Sequence, residues 1–319
     1  MNISTQLAPI VLFVYNRPWH TEQTLEALSR NELASQSVLY IYADGAKEDV
    51  DAIGLNNIKN TRDILRKKQW CKEVHIIEND VNKGLADSIV EGVTSIVNEY
   101  GKVIVLEDDI VSSSGFLNYM NDALDLYQNN DKVMHIGAFV PQTTGADQLR
   151  ETFFLRFMSC WGWATWKRAW EKLIIDTDFL YTELPKRTDF SAFELDGALQ
   201  HFDQIKANRE GKIKTWAIKW YSSIFIEEGL CLYPRRSLVK NIGIDDSGEN
   251  CVEGLSFLYG VDPIDSVSVS PIAVKESRIG KRYLRNFYLY GKDSSLIYRL
   301  KRRLLRNRLI YSFYKWFKK

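Results

Sequence analysis

The sequence predicts an α/β fold in which a mostly parallel central sheet is flanked by helices and followed by a basic amphipathic tail. Short apolar runs alternate with helical segments through the first 110 residues. Strands buried on both faces of a parallel sheet read as continuous apolar runs, and their alternation with helices favours parallel order. The chain of 319 residues is also long enough to bury a core without disulfides or structural metals.

Each element of this alternation has its own signal. Apolar runs predict the first four strands at residues 10–15, 38–42, 74–77 and 103–106. Helical patterns follow at residues 21–28, 50–68 and 85–100. Past residue 110, we expect a helix at 116–127 and short strands at 133–140, 153–157, 230–233 and 237–242. No linker or repeat is present, so we expect one continuous domain with halves at 1–110 and 111–275, and a tail at 276–319.

The composition indicates an ordinary globular protein, with 45% hydrophobic and 26% charged residues. Its four cysteines form no CxxC pair, which favours reduced, mostly buried thiols in a cytosolic protein. The first residues lack the features of a signal peptide, and no run of about 18 apolar residues predicts a membrane-spanning helix.

Polar residues follow each of the first four predicted strands at the point where the strand ends. Ligands in open α/β sheets bind beyond the carboxyl ends of the strands, so these residues are the first candidates for a site. We expect all four sets to converge on one edge of the sheet. They are Asn16 and Arg17, then Asp44, then Lys83 and Gly84, and finally Glu107, Asp108 and Asp109.

The three adjacent carboxylates after the fourth strand favour a divalent cation. Each negative charge raises the pKa of its neighbours, and Mg²⁺ or Mn²⁺ relieves the repulsion while taking substrate phosphates as further ligands. Such an ion neutralises the charge of a departing diphosphate. The alternative is a solvated acidic turn with no ligand.

The other strand ends also have a functional and a structural interpretation. Arg17 carries a guanidinium fork that suits phosphate, or it is a surface arginine before a helix that starts at Pro18. Asp44 accepts a hydrogen bond from a base or ribose, or it begins a turn closed by Gly45. The stretch 82–85 opens a helix whose N–H groups attract anions, or it is a simple helix cap.

The chain resembles bacterial glycosyltransferases of the GT-A fold, often grouped in family 2, and more distantly N-acetylglucosaminyltransferase I. The resemblance covers about residues 8 to 250. It rests on the order of the motifs FVYNRP (13–18), ADG (43–45), NKGLADSI (82–89), VIVLEDDI (103–110) and SCWGWATW (159–166).

This resemblance implies a nucleotide-sugar-binding first half, an acceptor-side second half and an inverting, metal-dependent transfer. It implies that Asp109 coordinates Mn²⁺ or Mg²⁺ with the diphosphate and that Asp108 contacts ribose or sugar. Glu107 would bind donor-sugar hydroxyls, while Arg17 and Asp44 would hold the nucleotide, which we expect to be uridine. Further donor-binding residues, taken from the matching motifs, are Asn16, Lys83, Gly84, Leu85 and Ser88.

The chain departs from the family where the catalytic base is expected. By the resemblance, the relatives' Trp and catalytic Asp fall on Trp216 and Ala217, so the base is missing there. The later segment 241–251 offers Asp245 and Asp246, which either supply the base or close a turn. No histidine follows residue 201, so a late histidine ligand for the metal is also lacking.

The tryptophans of the 159–170 region divide into two groups. Trp163, Trp166 and Trp170 recur at i, i+3 and i+7, which is typical of core packing. Trp161 lies outside that pattern and is the better candidate for stacking on an acceptor sugar, with packing as the alternative. Trp216, at the position of the relatives' Trp, is the second acceptor-side candidate.

The end of the chain is strongly basic. Residues 281–319 contain 13 basic and one acidic residue, so this segment carries +12 and the rest of the chain −11. Leu309, Phe313, Trp316 and Phe317 form one apolar face at helical spacing, as in helices that lie in a membrane interface. The alternatives are packing on the body or a second subunit, and nucleic acid, which no binding motif supports.

Together with these features, the resemblance implies a glycosyltransferase that moves a sugar from a nucleotide donor, expected to be UDP-linked, to a glycan or lipid-linked acceptor in surface polysaccharide synthesis. We expect it in the cytoplasm, peripheral on the inner membrane face. The alternative is an inactive sugar- or nucleotide-binding protein, motivated by Ala217. A nucleotide-dependent oxidoreductase or a nucleotidyltransferase is strongly disfavoured because Asn16-Arg17-Pro18 replaces a Gly-rich loop after the first strand.

Overall fold

The computed structural model describes residues 6–142, 145–245 and 260–291. Its strands are β1 Ile10–Val14, β2 Val38–Ala43, β3 Glu73–Glu78, β4 Lys102–Glu107, β5 Ile110–Ser112, β6 Val133–Gly137, β7 Thr152–Leu155, β8 Trp163–Trp166, β9 Leu230–Pro234 and β10 Val239–Asn241. Its helices are α1 Pro18–Ser29, α2 Ala52–Leu65, α3 Leu85–Tyr100, α4 Phe116–Leu126, α5 Lys167–Trp170, α6 Thr177–Glu183, α7 Phe190–Phe193, α8 His201–Arg209, α9 Ala217–Ile226 and α10 Arg278–Tyr290.

The large sheet has eight strands in the order β3-β2-β1-β4-β8-β6-β9-β7. The first four are mutually parallel, so their carboxyl ends meet at one edge as predicted. Beyond β4 the sheet is mixed, because β8 and β7 run against their neighbours while β6 and β9 are parallel to each other. The predicted α/β architecture, a mostly parallel sheet flanked by helices, is confirmed.

Helices cover both faces of this sheet, and the side chains of β1 show how. Ile10 and Leu12 point into a core shared with α1, α2 and α4, whereas Val11 and Phe13 point into one shared with α3, α9 and α10. All five β1 side chains are buried, which explains why this strand is apolar throughout.

A second, two-stranded sheet forms where the chain leaves β4. β5 pairs antiparallel with β10, and Asn241 lies opposite Ile110. The sequence predicted a strand near β10 but none at β5, because three residues are too short for a periodic signal. This small sheet places residues 241–245 beside the end of β4.

The structure also describes the tryptophans of the 163–170 region and the start of the tail. Trp163, Trp166 and Trp170 are buried, which confirms the packing interpretation, but Trp163 and Trp166 lie on a strand rather than on one helical face. The tail begins with α10, whose residues Tyr283 and Phe287 are buried against the body. The apolar face predicted at 309–317 lies outside the described residues.

Cys71, Cys160 and Cys231 are free thiols, as expected, and Cys251 lies outside the described ranges. In the part of the chain that the structure describes, every helix is too short or too polar to cross a bilayer.

Candidate active site at the end of the fourth strand

Asp108 and Asp109 form the turn between β4 and β5, where the chain passes from the large sheet to the small one. Both side chains are mostly buried, with 13% and 17% of their surface exposed. Three successive carboxylates therefore stand at the carboxyl end of a central strand, and the turn that holds them is not a fully solvated one. The carboxylates thus lie at the sheet edge where the sequence predicted them, and their binding roles stay a prediction.

Arg17 compensates these charges. Its Nη1 atom donates to Asp109 Oδ2 at 2.9 Å and to Asp108 Oδ1 at 3.3 Å. The pairing follows from the sheet, because β1 lies next to β4 with Phe13 opposite Glu107. The first and fourth strand ends, about 90 residues apart in the chain, thus form one cluster.

The carboxylates are electrostatically unfavourable in spite of this arginine. Burial, followed by repulsion from Asp109 and Asp108, raises the pKa of Glu107 well above its ordinary value. Burial and then the Asp109 charge raise the pKa of Asp108 to about 7. Carboxylates perturbed by burial and by like charges are typical of functional sites.

Helix α1 organises the cluster from one face. Four polar residues share one side of this helix and its N-cap, because they lie at i, i+3, i+4 and i+7. They are Arg17, His20, Thr21 and Thr24. Thr24 Oγ1 donates to the Asp108 carbonyl oxygen at 2.8 Å, and Thr21 Oγ1 donates to the Arg17 carbonyl oxygen at 2.9 Å. This polar stripe of α1 was not predicted from the sequence, although its helical spacing was a detectable signal.

Asp245, which is far from these residues in the sequence, also lies beside the cluster. The Ile242 N–H donates to the Asp109 carbonyl oxygen at 2.9 Å, which extends the pairing of β10 with β5. Asp245 Oδ2 then lies 3.0 Å from His20 Nε2, and its Oδ1 lies 3.8 Å from Arg17 Nη2. Of the two candidate bases, Asp245 is at the cluster, and Asp246 lies outside the described residues.

Asp44 lies at the end of β2 and holds its own loops together. Its Oδ1 accepts hydrogen bonds from the N–H groups of Gly45 and Lys83, both at 2.9 Å, and from Asn79 Nδ2 at 3.3 Å. Its Oδ2 accepts from the Gly84 N–H at 2.9 Å. The carboxylate thus ties the ends of β2 and β3 to the start of α3, and the predicted contact with a nucleotide stays a prediction.

The remaining donor-side candidates surround the start of α3. Lys83 Nζ forms an ion pair with Glu91 at 2.6 Å, and the Leu85 side chain is 40% exposed. Ser88 is buried, and its Oγ has no hydrogen-bond partner among the described residues. Asn16 is half-buried directly before Arg17. The buried hydroxyl of Ser88, at the start of α3, is therefore a polar group to which a ligand can bind.

The loop that carries Trp161 lies near the carboxylates. Burial and then the Glu107 charge raise the pKa of the Cys160 thiol, so this thiol is within electrostatic reach of that carboxylate. Trp161 is partly buried and contacts Phe139 edge-on at 4.4 Å. Trp216 is 5% exposed and stacks on Trp163, so it is a core residue in this structure. The acceptor contacts predicted for both tryptophans stay untested.

A divalent cation fits this cluster only as an ion held by one or two carboxylates. Among residues 6–142, 145–245 and 260–291, no group of three His, Cys, Asp or Glu side chains is arranged to hold a metal. Mg²⁺ is commonly held by one or two carboxylates, with phosphates and waters as its other ligands. Asp108 and Asp109, buried and mutually repelling, have the chemistry of such a pair.

An exposed aromatic side chain adjoins the cluster as well. Trp19, which the sequence analysis did not single out, is 57% exposed in the first turn of α1. Its ring contacts the ring of His20 edge-on, at 4.9 Å between centroids. Large exposed indoles are uncommon on protein surfaces and often mark contact sites.

No protein-family model and no curated protein sequence match the chain. Among solved structures, it is similar to mouse xyloside xylosyltransferase 1 in its apo form, with 10% identity, 68% of this chain and 81% of that chain covered, and a TM-score of 0.35. It is also similar to galactosyltransferase LgtC in complex with donor and acceptor sugar analogues, with 9% identity, coverage of 70% and 72%, and a TM-score of 0.35. For TarS of S. aureus the identity is 12%, the coverage 78% of this chain and 37% of that one, and the TM-score 0.37. With TM-scores below 0.5, these similarities do not by themselves assign an activity.

Proposed function

We propose that this protein is a glycosyltransferase that uses a nucleotide-sugar donor, with uridine diphosphate as the carrier. The observation that carries the proposal is the cluster of Glu107, Asp108 and Asp109 at the end of β4, contacted by Arg17 from the turn between β1 and α1 and approached by Asp245. Glu107 and Asp108 are buried and have a raised pKa, and such carboxylates at the carboxyl edge of a parallel sheet are typical of ligand sites, which supports the proposal. The motif order in the sequence supports the same assignment.

The donor binds, in this proposal, with its diphosphate beside Asp109 and Arg17. A divalent ion held there by Asp109 and Asp108 would neutralise the diphosphate charge. Arg17 Nη1 is shared between the two aspartates, and its guanidinium has further N–H donors in a planar fork that suits phosphate oxygens. Glu107 would then contact sugar hydroxyls.

Transfer itself is assigned to Asp245 as the general base. Its carboxylate takes the proton of an acceptor hydroxyl while that oxygen forms a bond to the anomeric carbon. The bond between this carbon and the diphosphate breaks, and its electron pair leaves with the diphosphate, so the anomeric centre is inverted. The side chain of Asp245 is 44% exposed, so an acceptor can reach it from solvent.

Ligand-dependent unfolding tests the site. UDP together with Mn²⁺ is expected to raise the melting temperature, since saturation at about 100 times Kd contributes about 2.7 kcal/mol. Asp109→Asn should remove the metal-dependent part of the shift, whereas Asp203→Asn, an exposed acid on α8, should keep it. The site assignment fails if wild-type protein binds none of several nucleotides in a metal-dependent way.

Turnover distinguishes an enzyme from an inactive binding protein on the same fold. The relevant observation is that Ala217 stands at the first residue of α9, where the resemblance expects an acid. Sustained release of UDP in the presence of a saccharide or lipid-linked saccharide acceptor supports the transferase. Nucleotide binding without any release, across a panel of acceptors, supports the binding protein.

We propose in addition that the basic tail brings the protein to an anionic membrane surface, where a lipid-linked acceptor would be found. This part rests on the charge and apolar spacing of the sequence alone. Each basic residue near such a surface contributes about 1 kcal/mol. The full chain should bind vesicles containing anionic lipid at low salt and be released at high salt. A chain with Arg302, Arg303 and Arg306 changed to Glu should bind them weakly, and equal binding would refute the proposal.

A further inference from the structure

The side chain of His20 links helix α1 to the loop after β10. Its Nε2 lies 3.0 Å from Asp245 Oδ2, although 225 residues separate the two in the chain. The side chain is 9% exposed, so its orientation is set by the surrounding protein. The Trp19 ring packs against it in a T-shaped arrangement. A buried imidazole therefore holds one oxygen of a carboxylate that is itself accessible.

The two oxygens of Asp245 have different surroundings. Oδ2 is within hydrogen-bond distance of His20, and Oδ1 is 3.8 Å from Arg17 Nη2, which is an ion-pair distance. Arg17 is the N-cap residue of α1 and His20 lies three residues later, so the start of this helix fixes both the direction of this carboxylate and its distance from the Asp108–Asp109 pair.

We infer that His20 is a positioning residue that orients Asp245 for proton removal from the acceptor hydroxyl. This inference rests on the proposed function and deepens it. The imidazole N–H donates to Oδ2 and keeps Oδ1 directed toward the carboxylate cluster, where the anomeric carbon of a bound donor would lie. His20 itself contacts neither donor nor acceptor, so it acts only through Asp245.

Substitutions at His20 separate positioning from simple packing. His20→Leu removes the N–H donor and should lower kcat for transfer by about tenfold to a hundredfold, a part of the roughly 100- to 10,000-fold that a general base supplies. The Kd for UDP with Mn²⁺ should stay unchanged, because Arg17, Asp108 and Asp109 are not altered. His20→Gln restores an N–H donor and should recover most of the lost kcat.

A second histidine–carboxylate pair provides a matched control. His75 Nε2 lies 2.7 Å from Glu73 on β3, and His75→Leu should leave kcat and nucleotide binding unchanged. The decisive measurement is a double-mutant cycle on kcat. In an Asp245→Asn background, His20→Leu should cause no further loss, since the group that it orients no longer accepts a proton.

Three outcomes would overturn the inference. His20→Leu lowering kcat equally in the wild-type and Asp245→Asn backgrounds would show a role in folding alone. His20→Gln being as impaired as His20→Leu would show that the N–H donor is irrelevant. Wild-type protein that releases no UDP with any acceptor would overturn the proposed function and this inference together, whereas an active wild type without coupling would overturn this inference only.

Discussion

Gly243 lies against Asp109 with no space for a side chain. A Cβ at this position would stand 2.0 Å from Asp109 Oδ2 and 2.6 Å from Arg17 Nη2. The glycine is brought there by the pairing of β10 with β5 and by the bond from its neighbour Ile242 to the Asp109 carbonyl. The loop after β10 therefore restricts where the central ion pair of the site can lie.

Gly243→Ala is expected to displace the ion pair and to leave the fold largely intact. The atoms that the new methyl group meets first are the ends of two side chains, which can move more cheaply than backbone. Affinity for UDP with Mn²⁺ should fall at least about tenfold, which corresponds to 1.4 kcal/mol. Titration calorimetry measures it. Gly280→Ala, which places a Cβ 2.6 Å from the Phe153 ring, is the control, and an equal loss there would contradict the prediction.

Glu107→Gln should stabilise the ligand-free protein while it impairs transfer. The pKa of Glu107 is raised because burial and two neighbouring carboxylates oppose its charge, so an isosteric neutral amide removes an unfavourable interaction. We expect a gain of about 1 kcal/mol in the free energy of unfolding, of the size typical when active-site residues are relaxed. Urea denaturation without metal measures it. A loss of stability would show that the Glu107 charge is compensated in the native protein.

Asp44→Asn should destabilise the protein through its loops. The carboxylate accepts four hydrogen bonds, and an amide nitrogen in place of one oxygen would face the N–H group of Lys83 or of Gly84. We expect the free energy of unfolding to fall by about 2 kcal/mol. Asp80→Asn, at an exposed position in the same region, should have little effect. Equal stability of the two variants would show that Asp44 serves a ligand alone.

Acid should weaken the fold through two buried histidines. Burial lowers the pKa of His201 to about 4 and that of His135 to about 3. Since both values lie below the unfolded value of about 6.5, the unfolded chain binds more protons below that pH, and stability falls as pH decreases from there toward 4. Each histidine contributes at most about 1.4 kcal/mol per pH unit, and this limiting slope is reached only well below pH 6.5.

His201→Phe tests this acid sensitivity. The ring is surrounded by Phe157, Phe193 and Tyr221, so a phenyl group fits its environment. In this variant the Phe193 carbonyl oxygen still accepts the hydrogen bond that the Tyr221 hydroxyl donates, so it is not left without a donor. Urea unfolding between pH 7 and pH 5 should show a shallower loss of stability for the variant, smaller by about 2 kcal/mol over the whole range. An unchanged slope would mean that His201 is protonated in the folded protein.

The sequence predicted the parallel half of the sheet and the position of the acidic cluster because both have local signals. Continuous apolar runs followed by polar residues identify buried parallel strands and their carboxyl ends without knowledge of any contact. Because adjacent parallel strands end at the same edge, the sequence alone predicted that Arg17 lies close to the carboxylates of Glu107, Asp108 and Asp109.

Features that depend on distant segments of the chain had no such signal. β5 and β10 are three residues each, and only their mutual pairing makes them strands. The spacing of Trp163 and Trp166 is also compatible with a helix. They lie on a strand because this segment pairs with β4 on one side and β6 on the other. The hydrogen bonds that Asp44 accepts also come in part from the loop after β3.

What the sequence determined by itself is therefore the α/β alternation and the chemistry of each strand end, because these follow from patterns within ten or twenty residues. The tertiary structure alone decided that Asp245 meets His20 and Arg17 and that Gly243 lies against Asp109. Burial and ion pairing between segments more than 90 residues apart are set by the free energy of the whole fold, which favours one pairing of short strands over the alternatives.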